Sequence, residues 1–192
     1  MSRRLAQGVD AAAVPATPAS VRAVVALGAN LGDRERTLRE AIAEIAALPL
    51  VTSVRASAMI ESVAVTLEGA DPSAPGYLNG VALVDTTLAP SVLLAMLHAI
   101  EHRHGRERAQ RWGSRTLDLD LIAYADVRSE APELLLPHPR AAQRDFVLRP
   151  WLSIDPDAHL PGVGRVDAAL AALERAEAGG AEASTHPGIE RP

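Results

Sequence analysis

Two carboxylates stand two positions apart in the stretch RWGSRTLDLDL, at Asp118 and Asp120. In a β-strand, residues at i and i+2 share a face and lie about 6.5 to 7 Å apart. Leu117, Leu119 and Leu121 would then face a core, with both carboxylates on the other side. Mg²⁺ binds one or two carboxylates together with phosphate and water oxygens. The pair therefore indicates a magnesium site, and the alternative is a solvent-facing strand that carries two acids.

Five arginines lie in the thirteen residues before this strand, against a single acid, Glu107. They are Arg103, Arg106, Arg108, Arg111 and Arg115. Guanidinium groups bind phosphate oxygens through paired hydrogen bonds, so arginines beside a carboxylate pair indicate a polyphosphate site. Mutual neutralisation of these charges on a surface is the alternative. Gly105 and Gly113 bracket the arginines and would let the segment close over a nucleotide.

The composition excludes several classes of protein. All 19 basic residues are arginine, so a Walker A lysine, a protein-kinase lysine and Schiff-base chemistry are excluded. Because cysteine is absent, disulfides and cysteine-based sites are excluded as well. A net charge of −5 and an aromatic content of 3% argue against a nucleic-acid partner. No apolar run approaches the length of a membrane span, so we expect no membrane partner.

The apolar pattern predicts the elements that must position these side chains. In order, it predicts a strand at 22–28, a helix ending before Pro49, strands in VTSVRASAMIESVAV and YLNGVALVDTT, a helix from Pro90 to Gly105, and a strand in LDLDLIAY. Helical segments follow between 140 and 175. The order β-α-β-β-α-β predicts an α+β fold, a ferredoxin-like sandwich in which helices pack on an antiparallel sheet.

The domain organisation follows from composition. We expect a disordered tail over 1–20, a single domain over 21–175 and a second disordered tail over 176–192. Residues 68–76 are rich in glycine and proline, which predicts a loop. Gln7 and Asp10 interrupt any signal-peptide core, so we expect a cytoplasmic protein.

Several motifs together resemble one known family. RWGSRTLDLDL closely resembles the motif of the 6-hydroxymethyl-7,8-dihydropterin pyrophosphokinases of folate biosynthesis. VVALGANLGDR resembles that family's opening strand and turn, and YLNGVALVDT resembles its central strand. GRERAQRWGSR is similar to its mobile catalytic loop, and LPHPRAAQRDFVLRPW to its closing segment. The resemblance covers about residues 23 to 160, in the family's order.

The resemblance implies a reaction and its co-substrates. The β,γ-pyrophosphoryl group of ATP would pass to the hydroxymethyl oxygen of the dihydropterin, and AMP would leave. The family has the ferredoxin-like sandwich, and its two motif aspartates hold two Mg²⁺ ions, here Asp118 and Asp120. We expect small-molecule substrates only, no nucleic acid or membrane partner, and a monomer.

The resemblance also implies roles for further residues. The catalytic arginines would be Arg106, Arg108 and Arg115. The residues implied to contact ATP are His98, Glu101, Trp112, His138 and Arg144. The residues implied to contact the pterin are Ser62, Val63, Val65, Tyr77, Asn79 and Phe146. Without the resemblance, His138 between two prolines could be a loop histidine and Phe146 a core residue, whereas Asn79 in an apolar strand needs polar partners.

One departure from the family pattern keeps an alternative open. The family usually has a loop with threonine and proline after the second strand, which forms a wall of the pterin pocket. Here the matching stretch is ESVAVTLEG, which contains no proline. A paralogue that transfers pyrophosphate to a different acceptor is therefore the alternative. An RNA-binding module would need aromatic residues that this chain lacks, and a non-catalytic metal-binding protein would not account for the arginines.

Overall fold

The computed structural model describes residues 19–62, 64–66, 69–71, 76–105 and 116–183. The strands are β1 (Val21–Ala29), β2 (Val51–Ala56), β3 (Ile60–Ser62), β4 (Ala64–Thr66), β5 (Gly69–Asp71), β6 (Tyr77–Thr86), β7 (Asp118–Tyr124), β8 (Ser129–Ala131), β9 (Leu134–Leu136), β10 (His159–Leu160) and β11 (Gly164–Arg165). The helices are α1 (Arg34–Ala46), α2 (Pro90–Arg103), α3 (Asp145–Ile154) and α4 (Val166–Ala183), with a 3-10 turn at Ala141–Gln143.

The main sheet has the strand order β2-β6-β1-β7, and β3 also pairs with β6. Every one of these pairs is antiparallel. The chain crosses from β1 through α1 to β2, and from β6 through α2 to β7. The predicted α+β ferredoxin-like sandwich is therefore confirmed.

Strand alternation gives the sheet two apolar faces. One face packs against α1 and α2, and its core includes Leu27 of β1 and Leu119 of β7. The other face packs against α3 and α4 through a second cluster that includes Val24 and Trp151. Successive side chains of a strand point to opposite faces, so Asp118 lies on the α3 side because Leu119 lies on the α2 side.

The ends of α1 and α2 follow from their sequences. Asp33 is the N-cap of α1, and its side chain accepts a hydrogen bond from the Arg36 amide at 3.0 Å. This bond satisfies one of the unpaired amides of the first turn. Pro90 opens α2, where its fixed φ suits a helix and its missing N–H is not needed.

The predicted second strand is interrupted at Ser57. The Ser57 amide donates to the Val81 carbonyl at 2.8 Å, and the Ser57 Oγ accepts from the Val81 amide at 3.0 Å. A side-chain oxygen thus replaces a backbone carbonyl, so β2 ends at Ala56 and pairing resumes in β3. Part of the predicted loop 68–76 is also a strand, since β5 pairs with β4.

The C-terminal helix passes the boundary that composition suggested. Helix α4 runs to Ala183, beyond residue 175, through a stretch rich in alanine and glutamate. Alanine and glutamate favour the helical state, and together they outnumber the unfavourable Gly179 and Gly180 in this stretch. Residues 1–18 and 184–192, which make up most of the two predicted tails, lie outside the described residues. Among the described residues, none of the helices combines the length and apolar character that crossing a bilayer requires.

Candidate active site

The site is organised around Gly28, near the end of β1. Gly28 is in register with Asn79 on β6 and with Asp118 on β7. Residues in register on antiparallel strands share a face, so Asn79 and Asp118 flank the glycine on the α3 side of the sheet. A Cβ atom on Gly28 would lie 3.1 Å from Asn79 Oδ1 and 3.9 Å from Tyr77 Cδ1. The absence of a side chain at residue 28 therefore makes room for the Asn79 amide.

Asp120, the second aspartate of the pair, lies beside the side chains of Arg144 and His138. Asp120 is in register with Ala26, another small residue. Arg144 Nη1 donates to Asp120 Oδ2 at 2.7 Å, and His138 Nε2 lies 3.8 Å from the same oxygen. The Asp120 side chain is 29% exposed, so the ion pair is partly screened and still open to a ligand. The structure thus brings together four predicted residues, Asp118, Asp120, His138 and Arg144.

Backbone contacts orient His138. Its amide donates to the Ile122 carbonyl at 2.8 Å, which fixes the residue beside β7. The Arg140 amide donates to His138 Nδ1 at 3.2 Å, so the neutral ring carries its proton on Nε2. Burial lowers the pKa of His138, Asp120 opposes this shift, and Arg144 adds to it. Near neutral pH, His138 is therefore an uncharged ring whose Nε2–H faces the aspartates.

Three of the residues implied to contact the pterin, Ser62, Tyr77 and Asn79, meet where β3 pairs with the start of β6. Asn79 Nδ2 donates to Ser62 Oγ at 2.7 Å, and Ser62 is in register with Tyr77. Phe146 of α3 is partly buried against the second apolar cluster. The Arg144 guanidinium lies 5.6 Å from the centre of the Phe146 ring, within cation–π range. Phe146 is thus next to a residue implied to contact ATP.

Glu101 lies on the other side of the sheet. Its side chain is fully buried among the apolar residues of α2. Its Oε1 accepts a hydrogen bond from the Leu119 amide at 2.9 Å. Because Leu119 stands between Asp118 and Asp120, Glu101 reaches the site through the backbone of β7. His98, one turn earlier on α2, is partly exposed. Both residues belong to α2, and their implied contacts with ATP remain predictions.

The remaining predicted site residues are not all among those that the structure describes. Val63, Arg106, Arg108, Trp112 and Arg115 lie outside the described residues, and Val65 belongs to β4. Their implied roles remain predictions.

The structure also shows a contact that sequence reasoning missed. Arg34, the first residue of α1, donates from Nη1 to Glu61 Oε2 at 2.8 Å and to the Gly76 carbonyl at 2.7 Å.

The carboxylate pair fits Mg²⁺ that arrives with a nucleotide. Across the described ranges, no group of three or more histidine, aspartate or glutamate side chains could enclose a metal ion by itself. Mg²⁺ keeps several waters and is typically bound by one or two carboxylates plus substrate phosphates. Asp118 and Asp120, both partly exposed on one face of β7, offer a donor set of this kind.

Three comparisons place the chain among known proteins. A family model described as 7,8-dihydro-6-hydroxymethylpterin-pyrophosphokinase matches residues 24–156. The chain is 42% identical over 143 residues to the 2-amino-4-hydroxy-6-hydroxymethyldihydropteridine pyrophosphokinase of Synechocystis sp., a match that covers 74% of this chain and 71% of the relative. It is 39% identical over 151 residues to the enzyme of the same name from Pseudomonas aeruginosa, covering 79% of this chain and 91% of the relative.

Solved structures share the fold. A crystal structure of HPPK-DHPS in complex with substrates matches with a TM-score of 0.61 at 12% identity, over 91% of this chain and 46% of that chain. A Plasmodium falciparum HPPK-DHPS variant with pterin and p-hydrobenzoate also matches with a TM-score of 0.61 at 12% identity, over 83% and 45%. This chain therefore spans less than half of those longer proteins.

Proposed function

Because this chain belongs to the 7,8-dihydro-6-hydroxymethylpterin-pyrophosphokinase family, we propose that it transfers pyrophosphate from ATP to 6-hydroxymethyl-7,8-dihydropterin, a step of folate biosynthesis. The observation that carries the proposal is the shared register of Asn79 and Asp118 with Gly28. It puts an amide suited to a pterin and a carboxylate suited to a metal-bound phosphate on one face, one strand apart.

The proposed chemistry is a single displacement at phosphorus. The hydroxymethyl oxygen of the pterin forms a bond to the β-phosphorus of ATP and loses its proton. The bond from that phosphorus to the oxygen of the α-phosphate breaks, and AMP leaves with that oxygen. Protein groups contribute to such a transfer mainly by positioning the reactants and stabilising charge. The described residues fit those two tasks.

Asn79 and its neighbours would orient the acceptor. The aminopyrimidinone edge of a pterin presents donors and acceptors, and an amide carries both. One hydrogen of Asn79 Nδ2 is used by Ser62 Oγ, which fixes the direction of the amide. Nδ2 also donates a longer hydrogen bond to the Tyr77 carbonyl at 3.5 Å, so Oδ1 would be the group that meets the pterin edge, with Phe146 as the candidate ring to cover the pterin face.

Arg144 and His138 would hold the phosphates. Arg144 is a permanent cation, and Asp120 fixes its direction. His138 contributes a neutral N–H donor, because burial lowers its pKa and Nδ1 is occupied by the Arg140 amide. Asp118 and Asp120 would hold two Mg²⁺ ions, which supply charge neutralisation on the triphosphate when bound. Arg106, Arg108 and Arg115 would complete the charge stabilisation from the segment outside the described residues.

The test is an acceptor panel with the purified protein. ATP and Mg²⁺ are supplied with 6-hydroxymethyl-7,8-dihydropterin or with related pterin alcohols, and AMP is measured. We expect kcat/KM to be highest for the 6-hydroxymethyl compound. A higher kcat/KM with another alcohol would favour the paralogue with a shifted acceptor.

Sedimentation of the same protein tests the proposed monomer.

A further inference from the structure

We infer that Arg34 is a positioning residue for the pterin side of the site, because it ties together the two ends of the segment 61–76. The inference rests on the proposed function, since it assigns a role in pterin binding. Arg34 is the first residue of α1 and stands directly after the N-cap Asp33. The helix start therefore provides a fixed base from which the guanidinium reaches across to two other elements.

The contacts of Arg34 join both ends of that segment. Nη1 and Nη2 donate to the two carboxylate oxygens of Glu61, at 2.8 and 2.9 Å, in a paired arrangement. Nη1 also donates to the Gly76 carbonyl at 2.7 Å. Glu61 belongs to β3, and Gly76 immediately precedes β6. One side chain thus links α1, the short strand β3 and the beginning of β6.

The backbone at Gly76 is in close contact with β3. A Cβ atom on Gly76 would lie 3.2 Å from the Ser62 carbonyl oxygen and 3.6 Å from Glu61 Oε2. The strand that Arg34 holds is only three residues long, and its register places Ser62 against Tyr77 and Ile60 against Asn79. A strand this short has few ladder hydrogen bonds of its own, so the contacts of the Arg34 side chain add to its order.

The clamp acts on the pterin pocket through Ser62. Ser62 follows Glu61 directly, and its Oγ accepts the hydrogen bond that directs the Asn79 amide. If β3 moves away from β6, that bond lengthens and the amide loses its fixed direction. The hydrogen bonds of Arg34 go to β3 and to the residue before β6, whereas Asp118 and Asp120 belong to β7 and Arg144 precedes α3. Its loss should therefore affect the acceptor and spare the nucleotide.

The experiment compares Arg34→Gln with Arg36→Gln. Arg36 lies on the same helix and forms an exposed i,i+4 ion pair with Glu40 at 2.8 Å. Its replacement by glutamine therefore makes the same chemical change in the same helix and also breaks one ion pair. Calorimetry measures dihydropterin binding in the presence of a non-hydrolysable ATP analogue, and binding of the analogue alone. We expect Arg34→Gln to weaken pterin binding about three- to ten-fold, since the Glu61 pair is largely exposed. Analogue binding should stay within two-fold, and Arg36→Gln should change neither.

A second readout needs no ligand. Amide hydrogen exchange in residues 60–62 should accelerate in Arg34→Gln and not in Arg36→Gln, and Arg34→Lys should recover part of the protection. Unchanged exchange at 60–62, or equal weakening of both ligands, would overturn the inference. If the two variants differ in exchange as expected but the wild-type protein binds no pterin, the proposed function is contradicted instead. The clamp would then order a pocket for another acceptor.

Discussion

Asn79 and Asp118 lie on opposite sides of Gly28, each in register with it, on the same face of the sheet. Neighbouring strands are about 4.8 Å apart, so the two residues are separated by roughly 10 Å at the backbone. No side chain stands between them at the central strand. The proposed acceptor side and the proposed phosphate side of the site are therefore adjacent, and both are built on strands of the main sheet.

A methyl group at the central glycine should disturb the acceptor side. In Gly28→Ala the new Cβ would lie 3.1 Å from Asn79 Oδ1, closer than most real Cβ contacts. The amide must shift, and we expect dihydropterin binding to weaken about three- to thirty-fold. Calorimetry on Gly28→Ala, Asn79→Ala and the double variant provides the test. The Gly28→Ala effect should largely vanish when Asn79 is already alanine, and full additivity of the two effects would contradict the contact.

The amide of Asn79 should contribute to pterin binding and not to nucleotide binding. Its removal in Asn79→Ala leaves polar groups of the bound pterin without partners, at a cost of about 1 to 3 kcal/mol. This corresponds to roughly five- to hundred-fold weaker binding. The dissociation constant of the ATP analogue, measured on the same sample, is the internal control. An unchanged pterin affinity would show that Asn79 does not read the acceptor.

Both aspartates of β7, Asp118 and Asp120, should be required for turnover. We expect Asp118→Asn and Asp120→Asn to reduce kcat about 10²- to 10³-fold, since each removes an electrostatic stabiliser of the transferring group. Asp126→Asn removes an exposed carboxylate just beyond the end of β7 and should leave kcat unchanged. Thermal denaturation monitors the fold of all three. Near-native turnover in a folded Asp118→Asn or Asp120→Asn variant would refute the metal assignment.

Glu44 should make the stability of the fold depend on pH through its contacts at the end of α2. Burial acts to raise the pKa of Glu44, but hydrogen bonds from Arg103 and His104 outweigh it and hold the pKa below its ordinary value of 4.5. A carboxylate with a lowered pKa stabilises the fold above its unfolded pKa, and this contribution is lost as pH falls through the folded pKa. We expect Glu44→Gln to cost about 0.5 to 1.5 kcal/mol of unfolding free energy at pH 7.

That difference between wild type and Glu44→Gln should shrink steadily as pH falls below 4.5. Denaturant unfolding at a series of pH values measures it. Glu40→Gln is the matched control. Glu40 lies on α1, as Glu44 does, and pairs with Arg36 on the exposed surface of that helix. A difference that is independent of pH would mean that the Glu44 contacts do not depend on its charge.

The sequence predicts the main elements and the aspartate face because both follow from local periodicity. Alternation of leucine and aspartate in β7 assigns the face of Asp118 without knowledge of the fold. The burial of Glu101 could also have been read from the sequence, since it falls four residues after Leu97 in the apolar stripe of α2. Its implied contact with ATP stays a prediction.

Other features could not be predicted from the sequence. The Arg34 contacts span 27 and 42 positions along the chain, and no local pattern marks them. The break at Ser57 depends on a side chain replacing a backbone carbonyl opposite Val81, which only the sheet pairing shows. The role of Gly28 likewise appears only when the registers of β6 and β7 are combined.

The most direct measurement of the central claim is the product balance of one reaction followed by phosphorus NMR. The protein is mixed with ATP, Mg²⁺ and 6-hydroxymethyl-7,8-dihydropterin, and all phosphorus-containing species are quantified with time. A site that joins an acceptor half at Asn79 to a phosphate half at Asp118 should form one AMP and one pterin diphosphate for each ATP consumed. No AMP should form when the pterin is omitted. Formation of ADP with a pterin monophosphate, or AMP formation that does not depend on the pterin, would contradict the account.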